Sequence, residues 1–372
     1  MRLRIENTTE EECRAYAKAL ETTGFCLHEQ KEIWAGNKYA GGANLFYTYY
    51  KADTCVYLFW DASIYTVFIT AEPLGVLPNT RGDTPLDNTG GATLTQLPLK
   101  NRGMGYVVRL ADGRFILVDG GDYDEASASF LYAFLKENTT QEIPTVALWI
   151  FTHSHSDHIR LAGQFVVDYK EKVEVCAFAY QFPDCDKISV AMESEEQMKA
   201  DIEGFEKNLK ESYPNAATYT LHTGQSYYFD GLEIEILYSP DDTYPAQYTS
   251  FNDTSVALRL RFASGKTALL LGDCMHGACR RIAHTYGEYL KSDILQVTHH
   301  GLIGGDTDLY ALIDPEICLW STSEERFLGK TPNQKYQWCL GEGCCDYNRF
   351  IRDESIRKRT HYPASETTTI KL

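Results

Sequence analysis

No run of about 18 apolar residues occurs in this 372-residue sequence, so no segment reads as a membrane-spanning helix. No apolar core follows the first basic residues either, and MRLRIENTTEEECRAYAKAL reads as a charged amphipathic helix rather than a secretory leader. The 11 cysteines are odd in number and contain no C-x-x-C pair. Together these absences point to a reducing, cytoplasmic setting with free thiols, Cys344 and Cys345 included. Positive charge is in deficit, with 35 lysines and arginines against 52 acids and a net charge of −17. Such a surface repels long polyanions, and its one compact basic cluster, RDESIRKRTH, is interrupted by acids. A small anionic substrate stays open, because a bound cation reverses the field locally. Repeats and low-complexity tracts are also lacking. A hydrophobic content of 44% with 13% aromatics is that of a chain able to bury a large core.

Residues 1–75 predict a small α+β domain. In EEECRAYAKALETTGF, Cys13, Tyr16, Ala17 and Leu20 recur at helical spacing and Gly24 is a stop. The Tyr-, Phe- and Val-rich stretch after it reads as an antiparallel meander. Residues 76–92, dense in Gly, Pro, Asn and Asp, read as a linker. From 93 to 372 strands outnumber helices but helices recur between them, which predicts sheets with helices packed outside.

Histidine is scarce as well, at ten residues, yet three stand in THSHSDHI, residues 152–159. His153 and His155 follow the apolar strand TVALWIFT. In extended chain, residues two apart share a face, so both imidazoles can meet one ion. Asp157 and His158 lie just past them and can face a second ion. Two further apolar strands end in ligand types: KTALLLGD in Gly272–Asp273, and DILQVTHHG in His299–His300–Gly301. Each is innocent alone, as a turn former or surface histidine. Three strand tips of this kind together point to a metal centre on one sheet edge.

HSHSDH, with Gly-Asp and His-His-Gly at two later strand ends and LADGRFILVDGGD as lead-in, resembles the HxHxDH motif of the metallo-β-lactamase superfamily over residues 93–372. Within it, NDTSVALRL…LLLGD…THHG is similar to the hydrolase domain of DNA-uptake channel proteins and to choline-phosphate esterases. The resemblance implies an α+β fold, an αβ/βα sandwich beside the small N-terminal α+β domain. It implies two divalent metal ions, zinc first, with manganese or iron as alternatives. By that match His153 and His155 serve the first ion, Asp157 and His158 the second, and Asp273 bridges them. One histidine of the 299–300 pair completes the second site, with His299 favoured as the first residue past the strand. Many relatives carry a further first-metal histidine where this chain has FNDTS. Asn252, Asp253 or His361 are the candidate substitutes, while His222 is expected at the surface. Asp119 reads either as an orienting partner of a ligand or as a turn residue.

The function so implied is hydrolysis by a dinuclear-metal-activated hydroxide, with Asp157 and Asp273 at its centre and a phosphoester or phosphodiester as the expected bond. Carboxylic ester, lactone or thioester hydrolysis at the same centre is the alternative, and a non-catalytic metal-binding interaction module is the alternative from another class. Di-iron oxygen chemistry is disfavoured, since the further carboxylate that flavodiiron relatives place between the two clusters has no obvious counterpart here and no flavin domain follows. The charge balance favours a small molecule or modified polymer end as substrate.

Overall fold

The computed structural model describes residues 1–36, 42–84, 86–88, 90–98, 103–183, 195–246, 248, 250–302, 304–328 and 359–372. Cys344, Cys345 and most of the basic cluster lie outside them. No described helix is long and apolar enough to cross a membrane.

The chain begins with a strand, not the helix expected there. In RLRIE, Leu3 and Ile5 alternate with charged residues, and β1 (Arg2–Glu6) pairs antiparallel with β5 (Thr66–Pro73). Helix α1 (Glu10–Thr22) starts only where Thr9 caps it: the Glu12 N–H donates to Thr9 Oγ1 (3.2 Å) and the Thr9 N–H to the Glu12 carboxylate (2.8 Å). With β2 (Cys26–Trp34), β3 (Ala43–Lys51) and β4 (Thr54–Asp61), these strands form a sheet in the order β1-β5-β4-β3-β2. Alternation in β3 sends Leu45, Tyr47 and Tyr49 toward α1, while Phe46 faces the rest of the protein.

A second sheet contains β6 (Thr93–Gln96), β7 (Tyr106–Arg109), β8 (Phe115–Val118), β9 (Thr145–Ile150), β10 (Glu174–Val175), β11 (Ala177–Tyr180) and β12 (Ala217–Thr220). Its outer face is covered by α2 (Glu125–Asn138), α3 (Ser156–Tyr169) and α4 (Glu195–Ser212), through Phe115, Leu117 and Trp149 against Leu131, Phe165 and Phe205. A third sheet runs β13 (Ser226–Phe229), β14 (Leu232–Tyr238), β15 (Ala257–Phe262), β16 (Thr267–Leu270), β17 (Ile294–Gln296), β18 (Ile317–Trp320) and β19 (Thr360–Pro363). Helices α5 (His276–Tyr286), α6 (Thr307–Ile313) and α7 (Glu324–Phe327) belong to this half, and β20 (Thr368–Lys371) returns to pair with β6. Val108, Ile116, Val118, Leu148 and Ile150 of the second sheet meet Ile234, Ile236, Leu258, Leu260 and Leu270 of the third in one dry layer. At about 1.5–3 kcal/mol for each such buried side chain, this layer dominates the sandwich's cohesion. The architecture is an α+β, αβ/βα sandwich.

The N-terminal sheet packs on the outer face of that sandwich. Phe46, Phe59 and Phe68 meet Cys279, Ile282 and Tyr286 of α5. Gly224 permits the approach: at φ +91°, a Cβ there would lie 2.1 Å from the Phe46 ring.

Candidate metal centre

The parallel strands β8, β9, β16, β17 and β18 deliver the site residues from their carboxyl ends. Past β9, His153 and His155 place Nε2 and Nδ1 3.0 Å apart. Two such nitrogens repel unless a proton or cation joins them. His155 is the N-cap of α3, so Asp157 and His158 stand on its first turn. Past β16, Gly272 adopts φ +55° with Thr152 against its α-carbon, and Asp273 follows, buried. Past β17, His299 and His300 both take left-handed conformations (φ 52° and 54°), which cost β-carbon-bearing residues about 1–2 kcal/mol each. Strain concentrated on two adjacent histidines is a mark of a site.

These side chains form two groups whose ligand atoms lie within 4.8 Å of one another: His153, His155 and Asp273, and Asp157, His158 and His300. The groups join at Asp273, whose Oδ2 is 3.3 Å from both His158 Nε2 and His300 Nε2. His300 Nε2 is also 3.4 Å from Asp157 Oδ2. The second group therefore holds His300, not the favoured His299. The left-handed turn swings the second histidine of the pair inward and leaves His299 Nε2 3.9 Å from Asp273, beside the Asn252 amide nitrogen at 3.3 Å. Two buried oxygens in this centre accept no hydrogen bond, Asp273 Oδ1 and Asn252 Oδ1. Orphaned acceptors amid converging imidazoles fit a pair of divalent cations, and the donor set suits zinc, manganese or iron.

The surrounding partners hold this geometry. Asp119, at the tip of β8 and itself left-handed at φ 56°, accepts from the Thr152 N–H (2.7 Å), Thr152 Oγ1 (2.8 Å) and His158 Nδ1 (2.7 Å). It is thus both turn residue and orienting carboxylate, which leaves His158 Nε2 directed at the cluster. His300 Nδ1 donates to the Ser321 carbonyl at 2.9 Å. Thr152 and Ser321 were not singled out in the sequence, although Ser321 follows the apolar strand ICLW as the other site residues follow theirs. Among the remaining candidates, Asp253 lies in the 3-10 turn Phe251–Thr254 beside Asn252. His361 sits on β19 with Nδ1 accepting from the Trp320 indole (3.0 Å) and belongs to neither group.

His222 departs from its expected surface position. It is 1% exposed, with Nδ1 2.5 Å from Asp241 and Nε2 3.0 Å from Glu72. Two carboxylates distant in sequence satisfy a buried imidazole that no local pattern marks as core.

Charge coupling in the centre is strong. Burial opposes ionisation of Asp273, but His300 and His158 outweigh it and hold its pKa well below the carboxylate range. Burial likewise opposes charge on His158, yet Asp273 and Asp119 hold its pKa well above the usual histidine value. His153, buried and beside His158, is held well below that value.

The centre opens into a cleft of about 1050 Å³. Pro98, Phe130, Met198 and Leu302 supply apolar lining, while Ser321, Thr322, Ser323 and Ser365 supply hydroxyls. Arg326 is the cleft's one lysine or arginine among the described residues.

No protein-family model and no curated sequence matches the chain. Solved structures do. The metallo-β-lactamase-fold protein YhfI of Bacillus subtilis is 13% identical, covering 75% of this chain and 99% of its own at a TM-score of 0.43. CmlA, a diiron β-hydroxylase from Streptomyces venezuelae, is 10% identical over 81% of this chain and 55% of its own, TM-score 0.45. Zinc-bound PqqB from Methylobacterium extorquens is 11% identical over 72% and 87%, TM-score 0.40. The chain is thus an α+β sandwich of two mixed sheets with helices outside and HSHSDH at one edge, the layer order that the sequence resemblance implied.

Proposed function

We propose that this protein is a metal-dependent hydrolase of phosphoesters or phosphodiesters. The observation that carries the reading is Asp273, a buried carboxylate shared by two ligand groups, with one oxygen facing two imidazoles and the other unpartnered. His153, His155 and Asp273 would hold one cation, and Asp157, His158, His300 and Asp273 the other. Such a pair supplies Lewis acidity and ionises water near neutral pH. The chain's own residues do the rest. Asp119 fixes the His158 ring, the Ser321 carbonyl fixes His300, and the buried strand tips exclude bulk water from all but the cleft side.

The phosphoester assignment draws on the cleft. Arg326 in the cleft could pair bidentately with phosphate oxygens, and the hydroxyls of Thr322, Ser323 and Ser365 along it could donate to the same group. The apolar lining at Phe130 and Met198 fits an organic substituent. Turnover of bis-p-nitrophenyl phosphate is to be compared with that of p-nitrophenyl acetate, lactones and a β-lactam, each with zinc and with manganese. Hydrolysis of the phosphodiester is expected. Turnover confined to the carbon esters, lactones or lactam would reject the substrate class, and failure to retain any metal would reject the reading altogether.

A further inference from the structure

His222 sits where the N-terminal sheet meets the sandwich, and the mechanism does not use it. Its ring is stacked on Tyr57 of β4 at 3.8 Å between centroids and bonded on one side to Glu72 of β5 (3.0 Å). On the other side it meets Asp241 (2.5 Å). Asp241 also takes Arg2 of β1 on Oδ1 (2.9 Å) and the Gln181 amide (3.0 Å). Three strands of the N-terminal sheet therefore converge on one turn of the hydrolase, the 3-10 helix Pro240–Thr243.

That turn begins the segment that ends at the metal centre. Tyr248, buried, donates its hydroxyl back to the Pro240 carbonyl at 2.8 Å. Tyr238 donates to the Asp253 carbonyl at 3.4 Å. At the far end, the buried Phe251 ring lies 6.0 Å from the His155 ring, and Asn252 reaches His299. The described residues of 240–254 thus meet the N-terminal sheet at one end, and at the other Phe251 faces the ligand His155 while Asn252 faces His299. Among the described residues between the segment's two 3-10 turns, 244–246, 248 and 250, none belongs to a helix or an extended strand.

We propose that the N-terminal sheet is a clamp for the active centre: Arg2 and Glu72, through Asp241 and His222, are positioning residues that hold Phe251 against His155 of the first metal group and Asn252 against His299 beside it. A charge-assisted bond lost from a buried network costs more than a neutral one, and its loss is felt first as local opening of the segment it holds. A sheet docked only to recruit a partner would need no charged network at the root of this segment.

The inference rests on the proposed hydrolase reading for its catalytic readout only. The test uses the full chain with Glu72→Gln, which keeps the side chain's shape and removes its charge. Tyr228→Phe serves as control, because it removes another contact between sheet and sandwich, the Tyr228 hydroxyl to Glu29 at 2.6 Å, away from the segment. Amide hydrogen exchange across 240–254 is expected to quicken roughly 10-fold in Glu72→Gln and to stay unchanged in Tyr228→Phe. Zinc affinity measured by competitive chelation should weaken in the first variant alone, and kcat should fall with KM nearly constant. Glu72→Asp should restore part of each. Equal exchange in both variants, whether raised or unaltered, overturns the clamp. Should the protein lack phosphodiester turnover, the exchange comparison still decides, so the two ideas fail separately.

Discussion

At the scale of the residue, the centre is a set of interlocked proton and charge positions. Asp273 is the hub: its Oδ2 faces histidines of both ligand groups while Oδ1 is unpartnered, and its neutral amide counterpart offers only one acceptor and no charge. Asp273→Asn should therefore release both ions rather than one. Elemental analysis is expected to fall from two metals per chain toward none, with turnover lost by more than ~10²-fold; a variant that kept two ions would contradict the bridging role. Asp119 acts one step further out, through His158 Nδ1. Asp119→Asn should weaken metal affinity about 10–100-fold while leaving the ligands in place. Arg326 lines the cleft and is the recognition residue of the proposed phosphoester reading. Arg326→Ala should raise KM about 10-fold for a phosphodiester with kcat little altered, and leave a neutral ester unaffected. These positions differ in how far sequence reveals them. His153, His155, Asp157, His158 and Asp273 stand at strand ends with telling neighbours. The choice between His299 and His300 turns on two left-handed φ angles that no composition signals. Arg326 carries no local mark at all and becomes a cleft residue only through the placement of α7.

At the scale of the element, parallel strands and the turns after them do the positioning. Continuous apolar runs such as TVALWI and TALL announce strands buried on both faces, and the structure has both. The first six residues illustrate the opposite case. Charged residues alternating with Leu3 and Ile5 fit either an amphipathic helix start or an edge strand, and pairing with β5, more than 60 residues away, decides it. Glycines reveal how little freedom the turns have. Gly103 adopts φ +134°, and a Cβ there would lie 2.3 Å from the Asp157 carbonyl and 2.6 Å from the Gly121 α-carbon. Backbone cannot yield as a side chain would, so Gly103→Ala must push on the first turn of α3, which carries Asp157 and His158. A loss of about 1–3 kcal/mol in stability is expected, accompanied by weaker binding of the second ion. Urea unfolding with metal titration would check it; an unchanged second-site affinity would show that α3 is held by other means.

At the scale of the whole molecule, the N-terminal sheet and the sandwich are joined by buried charge as well as by apolar packing. The apolar share is Phe46, Phe59 and Phe68 on α5; the charged share includes Arg281 on the buried Asp61 and the His222 network. Such a junction has a pH signature. Burial opposes protonation of His222, but Asp241 and Glu72, facing it from either side, raise its pKa to about 9. Tyr57 stacks on the ring, and Arg2 lies beyond Asp241. In the unfolded chain a histidine titrates near 6.5. A group with a raised folded pKa contributes its full stability below the unfolded value and loses it as pH climbs through the folded one. The His222 contribution is therefore complete below about pH 6.5 and gone above about 9, a change of at most about 3 kcal/mol. Urea unfolding of the wild type and of His222→Gln, compared at intervals from pH 6 to 9.5, reads this contribution together with its coupling to Asp241 and Glu72. The gap in unfolding free energy should shrink steadily across that range. A gap that stays constant would mean that the imidazole between Glu72 and Asp241 binds protons alike in the folded and unfolded chain, and that its charge does not hold the junction.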